Sequence, residues 1–219
     1  MFRIHIVDWI VRDRYADHLE RYFRIRHEIY VEKRRWEAIA RPIGMEIDAF
    51  DTREAVYLLG IDERSNIVGG SRLVPTLKPH LLADVFPVLA PGGVPRAADI
   101  FEWTRFFVVP ELAETGRPSK AAGVVLCGLL EACLKLRISK LSVVCESFWP
   151  ERLQALGWEI AVLGDVLDHP DGDIVGLLID VTDDALASTR KIYQIEGTVL
   201  LTHFPAECLN APRYPEQSR

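Results

Sequence analysis

The sequence predicts an α/β fold, a three-layer αβα sandwich around a mixed sheet. Three observations carry this. Apolar runs of strand length recur along the chain, segments of helical periodicity lie among them, and one short polar turn joins two of the strands directly. The 219 residues suit one domain spanning 1–219, with about the last ten residues reading as a flexible tail.

Residues 2–9 alternate in character and predict a short first strand. A helix follows from about Asp13 to Lys33, because Tyr15, Leu19, Tyr22, Phe23, Ile29 and Tyr30 recur at helical spacing. Residues 37–54 read as a loop rich in acids. Residues 55–61 and 67–76 are apolar strands, and the polar turn DERSN between them predicts a hairpin. Residues 77–97 hold Pro79, Pro87, Pro91, Pro95 and Gly92-Gly93, an irregular excursion. Residues 99–109 form a strong strand. Pro118 and Ser119 open a helix to about Arg137 that is apolar nearly all round and therefore buried. The rest reads as strand 140–145, helix 147–156, strand 158–163, a turn at 169–173, strand 174–181, helix 183–194 and a last strand near 196–203.

The net charge of -6 gives no broad positive field, so nucleic acid is not an expected partner. Cys127, Cys133, Cys145 and Cys208 form no C-x-x-C pair, and no histidine stands at zinc-ligand spacing, so no metal is expected. No apolar run reaches membrane-spanning length and the N-terminus is unlike a signal peptide, so the expected compartment is the cytoplasm, without membrane association. Gly69-Gly70-Ser71-Arg72-Leu73 lacks the second glycine of a nucleophile elbow. There is no phosphate loop, no H-E-x-x-H and no strand-linked G-x-G-x-x-G.

What remains is a set of charges in apolar company. Arg26 shares a helix face with Leu19 and Tyr30; a snorkelling arginine at the core edge would look the same. Asp48 and Asp51, three apart in the acidic loop, could equally be solvated or capping groups. Arg72 lies inside an apolar strand, where an unpaired guanidinium is very costly, so it needs a carboxylate. Glu102 and Arg105 lie three apart in a strand. Alternation sends them to opposite faces, one charge on each, unless the strand bulges or twists between them, and bulges are common beside active sites.

Together these residues resemble the signature of the acyl-homoserine-lactone synthases, the autoinducer synthases of bacterial quorum sensing. Arg26, Tyr30 and Trp36 match the family's arginine, aromatic and tryptophan. Asp48 and Asp51 in EIDAFD match its two aspartates. Arg72 in GGSRLVPT and Glu102 and Arg105 in FEWTRFFV match its strand motifs. The match is strong over roughly residues 20–110. One departure is Tyr30, where the family usually carries phenylalanine.

The resemblance implies a fold like that of the GCN5-related N-acetyltransferases, in which two central strands, here 100–109 and 140–145, splay to admit a thioester arm. It implies an acyltransferase that joins an acyl thioester, from acyl-coenzyme A or an acyl-carrier protein, to S-adenosylmethionine. The amine attacks the thioester carbonyl, and the methionine carboxylate then closes the lactone and expels methylthioadenosine. S-adenosylmethionine is a co-substrate, and no cofactor is expected. Glu102 is the expected base, with Asp48 holding the amine and Arg105 beside them. Arg26, Tyr30 and Trp36 would wall the nucleotide pocket, using cation–π attraction for the sulfonium. Asp51, Arg72 and Arg105 would form a charge network. Trp103, Phe106, Cys145 and Phe148, with Phe107 and Trp149 near them, would shape a compact acyl pocket. Cys145 stands where the family often carries a hydroxyl residue associated with 3-oxo acyl groups, so an unoxidised acyl group is expected. A modest surplus of basic residues over 117–152 suits an acidic carrier protein, while a helix N-terminus near Pro118 suits coenzyme A phosphates. Two other readings stay open: an ordinary coenzyme-A-dependent N-acetyltransferase of this fold, and a non-catalytic acyl-binding domain.

Overall fold

A computed structural model describes residues 2–36, 39–112, 114 and 119–201. Its centre is a seven-stranded sheet of β1 (Arg3–Val7), β2 (Val56–Ile61), β3 (Ile67–Pro75), β4 (Ile100–Val108), β5 (Lys140–Glu146), β6 (Ile160–Val162) and β7 (Ile174–Asp180), in the spatial order β1-β2-β3-β4-β5-β7-β6. All neighbours are antiparallel except β4 and β5. The mixed sheet is the predicted one.

Helices α1 (Ala16–Arg26), α2 (Leu81–Asp84), α3 (Lys120–Leu136), α4 (Trp149–Ala155) and α5 (Asp183–Tyr193) cover the sheet. α3 and α5 pack on one face, over Phe101, Trp103, Leu141, Val143, Leu177 and Ile179. α1 and the loop after it cover the other, over Tyr57, Leu59 and Phe107. α3 buries Val125, Leu129 and Leu130 completely, each contributing about 1.5–3 kcal/mol. Ser119 caps α3 by accepting the Ala122 amide at 3.1 Å; Pro118 lies outside the described residues. Gly69 and Gly70 are needed where both layers press hardest. A Cβ on Gly70 would stand 2.7 Å from the Tyr22 ring, and one on Gly69 2.9 Å from Val125.

Three expectations change. The predicted helix 13–33 is a short tight turn (Arg12–Tyr15), then α1, then wide π-helical turns over His27–Lys33. The excursion 77–97 contains α2 and a single tight turn at Pro87–Leu89. The last strand near 196–203 reduces, up to residue 201, to one parallel bridge between Leu200 and Ile4; 202 and 203 lie outside the described residues. The reason is Glu131 on α3. Its buried carboxylate accepts the amides of Val199 and Leu200, which would otherwise be free for a ladder. No helix among the described residues is long and apolar enough to cross a membrane.

Candidate active site

The site begins with a bulge between Glu102 and Val108 in β4. Arg72 pairs with Thr104 and Gly70 with Phe107, so Arg105 and Phe106 together oppose Ser71. Arg105 takes the extra position with φ 56°, a left-handed conformation that a non-glycine residue adopts only under constraint. Thr104 and Arg105 therefore point to the same face, that of α1, and Glu102 joins them there.

That face carries three arginines against three acids. Arg26 Nε donates to Glu46 Oε2 at 2.5 Å, and its two terminal nitrogens donate to Asp51 at 2.8 and 2.9 Å. Arg72 forks onto Asp48 at 2.6 and 2.9 Å, lies 2.9 Å from Asp51 and donates Nε to Thr104 at 3.0 Å. Arg105 donates to both oxygens of Glu46 at 2.9 and 3.0 Å and to Asp48 at 2.9 Å. The Tyr57 hydroxyl donates to Asp51 at 3.0 Å. Burial opposes ionisation of Asp48 and Asp51. The arginines outweigh it, Arg72 chiefly for Asp48 and Arg26 then Arg72 for Asp51, and hold both carboxyls below the ordinary range. One oxygen each from Glu46, Asp48 and Asp51 lies within 4.8 Å of the others, a spacing a cation could use. Here guanidinium groups fill that role.

The network is nearly sealed. Arg26, Arg72 and Glu46 side chains are fully buried, and only Asp48 (13%) and Arg105 (8%) show appreciable surface. Next to it the Tyr30 and Trp36 rings stack 5.1 Å apart at 19°. The Tyr30 hydroxyl donates to the Phe106 carbonyl at 2.9 Å, so the departure from phenylalanine gives the bulged strand an extra hydrogen bond.

Glu102 lies two residues before Thr104 on the same face and is fully buried. Its carboxylate accepts the Leu81 amide at 2.8 Å and the Leu82 amide at 2.6 Å, capping α2 from about twenty residues away. Burial pushes its pKa up to about 7, and those two amides pull only part of the way back.

Glu102 also marks where the sheet opens. β4 and β5 pair only at Ile100 with Lys140, Phe101 with Leu141 and Glu102 with Ser142. Both strands run on, unpaired with each other, to Val108 and Glu146. These are the two strands expected to splay. On the α3 face the opening is edged by Trp103, Phe106, Cys145 and Trp149. Trp149 meets Phe106 edge-on at 5.6 Å and Trp103 at 6.3 Å. Burial pushes the Cys145 thiol up to about 12, so it stays neutral.

The structure thus brings Arg26, Tyr30, Trp36, Asp48, Asp51, Arg72 and Arg105 into one assembly, with Glu102 beside it at the root of the opening. Two assignments need correction. Arg26 does not wall a pocket, because its guanidinium is sealed in the network. Arg105 joins that network through Glu46 and Asp48, and Asp51 joins it through Arg26 and Arg72. Phe148 is 44% exposed beneath the Arg152 guanidinium, 4.3 Å away, so it stands at the rim and not inside. Glu46, Thr104 and Tyr57 were missed. The alternation of acids in EIDAFD, with Glu46 two residues before Asp48, was the available signal for the first. Arg117 and Cys208 lie outside the described residues.

A profile of the autoinducer synthase family matches residues 11–189. The chain is 38% identical over 162 residues to an isovaleryl-homoserine lactone synthase of Bradyrhizobium diazoefficiens, covering 74% of this chain and 72% of that one. Among solved structures it resembles the CoA-dependent acyl-homoserine lactone synthase MesI, with a TM-score of 0.84 and 60% identity over 91% of this chain and all of that one. It also resembles the CoA-dependent synthase BjaI, solved with SAM and isopentyl-CoA, with a TM-score of 0.85 and 32% identity over 92% and 93% of the two chains. In fold alone it is like an acyl-CoA N-acyltransferase from Pseudomonas aeruginosa, with a TM-score of 0.57 at 12% identity over 81% and 99% of the two chains.

Proposed function

The chain belongs to the autoinducer synthase family, and from that premise we propose how this acyl-homoserine-lactone synthase, an acyltransferase, uses its site and which donor it takes. The observation that carries the reading is positional. The β4–β5 ladder opens immediately past Glu102, and the same strand holds Arg105 in the charge network.

S-adenosylmethionine lies over the network. Its sulfonium faces the Tyr30–Trp36 stack, and its amine faces Asp48, the carboxylate of the network with the most surface. The thioester arm enters between β4 and β5 with its acyl group among Trp103, Phe106, Cys145 and Trp149. The amine, having lost a proton, attacks the thioester carbonyl. The C–N bond forms, the C–S bond breaks, and the coenzyme A thiolate leaves. The proton lost before attack passes to solvent, and Glu102, directly or through a water, accepts the second one released as the C–N bond forms and returns it to the thiolate. A pKa near 7 suits both transfers. Unpaired β4 and β5 amides beyond Glu102 receive the oxyanion. The substrate carboxylate then attacks its own γ-carbon, the lactone closes, and methylthioadenosine departs with the electron pair of the broken C–S bond. Positioning is enough for that step, because the sulfonium is already a good leaving group.

The donor is an acyl-coenzyme A with a compact, unoxidised acyl group. The bulky rings edging the opening support this, as do the coenzyme A dependence of MesI and BjaI and the isovaleryl product named for the Bradyrhizobium relative. The expected compartment is the cytoplasm, where both substrates are found and thiols stay reduced.

A direct comparison tests the donor. With S-adenosylmethionine, short branched acyl-coenzyme A should release methylthioadenosine and an acyl-homoserine lactone at least tenfold more efficiently than the same acyl group on a carrier protein, about 1.4 kcal/mol in kcat/KM. Preference for the carrier protein, or a mainly 3-oxo product in mass spectra, would contradict the assignment. Amide formation without methylthioadenosine release would favour an ordinary N-acetyltransferase.

A further inference from the structure

Arg34 closes the wide π-helical turns after α1 and was not among the residues singled out from the sequence. Its guanidinium carbon lies over both aromatic rings of the proposed nucleotide wall, 5.7 Å from the Tyr30 centroid and 5.4 Å from the Trp36 centroid. Those are cation–π distances. A second cation, Arg105, lies 5.4 Å from the Tyr30 centroid. The two differ in their freedom to leave. Arg105 is 8% exposed and fixed by three hydrogen bonds to Glu46 and Asp48. Arg34 is 43% exposed, and its ion pair is with Glu146 at the end of β5. Glu146 in turn accepts the Trp149 indole N–H at 3.1 Å.

We propose that Arg34 is a resident cation occupying the aromatic subsite that the substrate sulfonium takes, a positioning and specificity residue that the substrate must displace. The inference rests on reading Tyr30 and Trp36 as the sulfonium wall. The rings have a cationic partner in Arg34, held there by its ion pair with Glu146 on the far side of the β4–β5 opening. An incoming sulfonium offers the same charge to the same rings, so Arg34 moves outward to water, where an exposed guanidinium is well solvated. A neutral thioether gains nothing from the rings' negative faces and does not replace Arg34 on equal terms. The residue therefore lowers affinity for the sulfonium nucleotide by the cost of its own displacement. That cost acts only where the ligand competes for the rings.

This gives a readout that a merely structural role would not move. Titration calorimetry on the purified full chain would measure S-adenosylmethionine, a sulfonium cation, and methylthioadenosine, its neutral thioether counterpart. Arg34→Gln should tighten S-adenosylmethionine about three- to fivefold and leave methylthioadenosine within about twofold, the size expected of an exposed cation–π contact. Arg34→Lys, which keeps a cation at the same place, should restore the wild-type ratio of the two affinities. An unchanged ratio in Arg34→Gln, or weaker S-adenosylmethionine binding, would overturn the proposal. Trp36→Ala separates this from the underlying reading. If it leaves S-adenosylmethionine binding intact, the aromatic wall is misassigned; if it weakens that binding while Arg34→Gln leaves the ratio unmoved, the wall stands and only the Arg34 inference fails.

Discussion

Replacing Arg72 with methionine should lower the unfolding free energy by about 3–5 kcal/mol, the typical cost of removing one partner from a buried ion pair. The side chain is fully buried, forks onto Asp48, touches Asp51 and donates to Thr104. Methionine fills a comparable volume, so the loss comes from stranding charge rather than from a cavity. Asp48 loses its bidentate partner and keeps the Phe50 amide at 2.8 Å, Arg105, and the distant edge of Arg26, 4.0 Å away. For a chain of this length such a loss corresponds to a fall in melting temperature of roughly 10 °C. Neutralising the stranded acid should recover part of it, so Arg72→Met with Asp48→Asn should melt above Arg72→Met alone. Thermal melts of the three proteins decide the matter. A loss under about 1 kcal/mol in Arg72→Met would mean that the network adds little to the fold.

The same network gives stability a pH dependence of known sign. Asp48 and Asp51 have depressed pKa values in the folded state. Their contribution is present above the ordinary carboxylate range and is lost as pH falls through their folded values. Glu102 acts in the opposite sense. Its folded value, about 7, lies above the ordinary 4.5, so its contribution is complete below that ordinary value and is lost as pH rises through about 7.

Glu102→Gln should therefore separate folding from chemistry. Turnover should drop on the order of 10² to 10⁴-fold, the range for loss of a general base. Folding should suffer less, because glutamine keeps one acceptor oxygen for the Leu81 and Leu82 amides and faces the other with an NH₂ group; an unsatisfied buried donor costs about 1–3 kcal/mol. Two pH readouts accompany the loss. Wild-type kcat/KM should rise with pH through about 7, and the variant's residual rate should lack that limb. The decline in wild-type stability between about pH 5 and pH 8 should also flatten in the variant. Near-normal turnover with the acid limb intact would remove Glu102 as the base and leave it as the anchor of α2.

Much of this was legible in the sequence because buried charges are so costly that they announce their partners. Arg72 in an apolar strand demanded a carboxylate, and Asp48 supplies it. Glu102 and Arg105, three apart, could share a face only if the strand bulged or twisted between them, and Arg105 takes the extra position of a bulge at φ 56°. The splay of β4 from β5 followed from the family resemblance. What escaped depended on contacts between distant segments. Glu46 looked like any loop acid, since nothing local tells which guanidinium an acid will meet. Arg26 sits on the expected helix face, but only the fold turns it inward onto Glu46 and Asp51. α2 is too short to register as a periodic pattern, and its amides are satisfied by Glu102 from the next strand. The segment before residue 201 reads as a strand locally, yet Glu131 takes the amides that a strand would have offered to its neighbour.

The most direct measurement is a crystal structure of the full chain with S-adenosylmethionine and a non-transferable thioether analogue of a short branched acyl-coenzyme A. The expected electron density places the amine within hydrogen-bond reach of an Asp48 oxygen, the sulfonium over Tyr30 and Trp36, and the acyl group between β4 and β5 beside Trp149. Density for the nucleotide on another face of the sheet, or for the acyl arm outside the β4–β5 opening, would contradict the account.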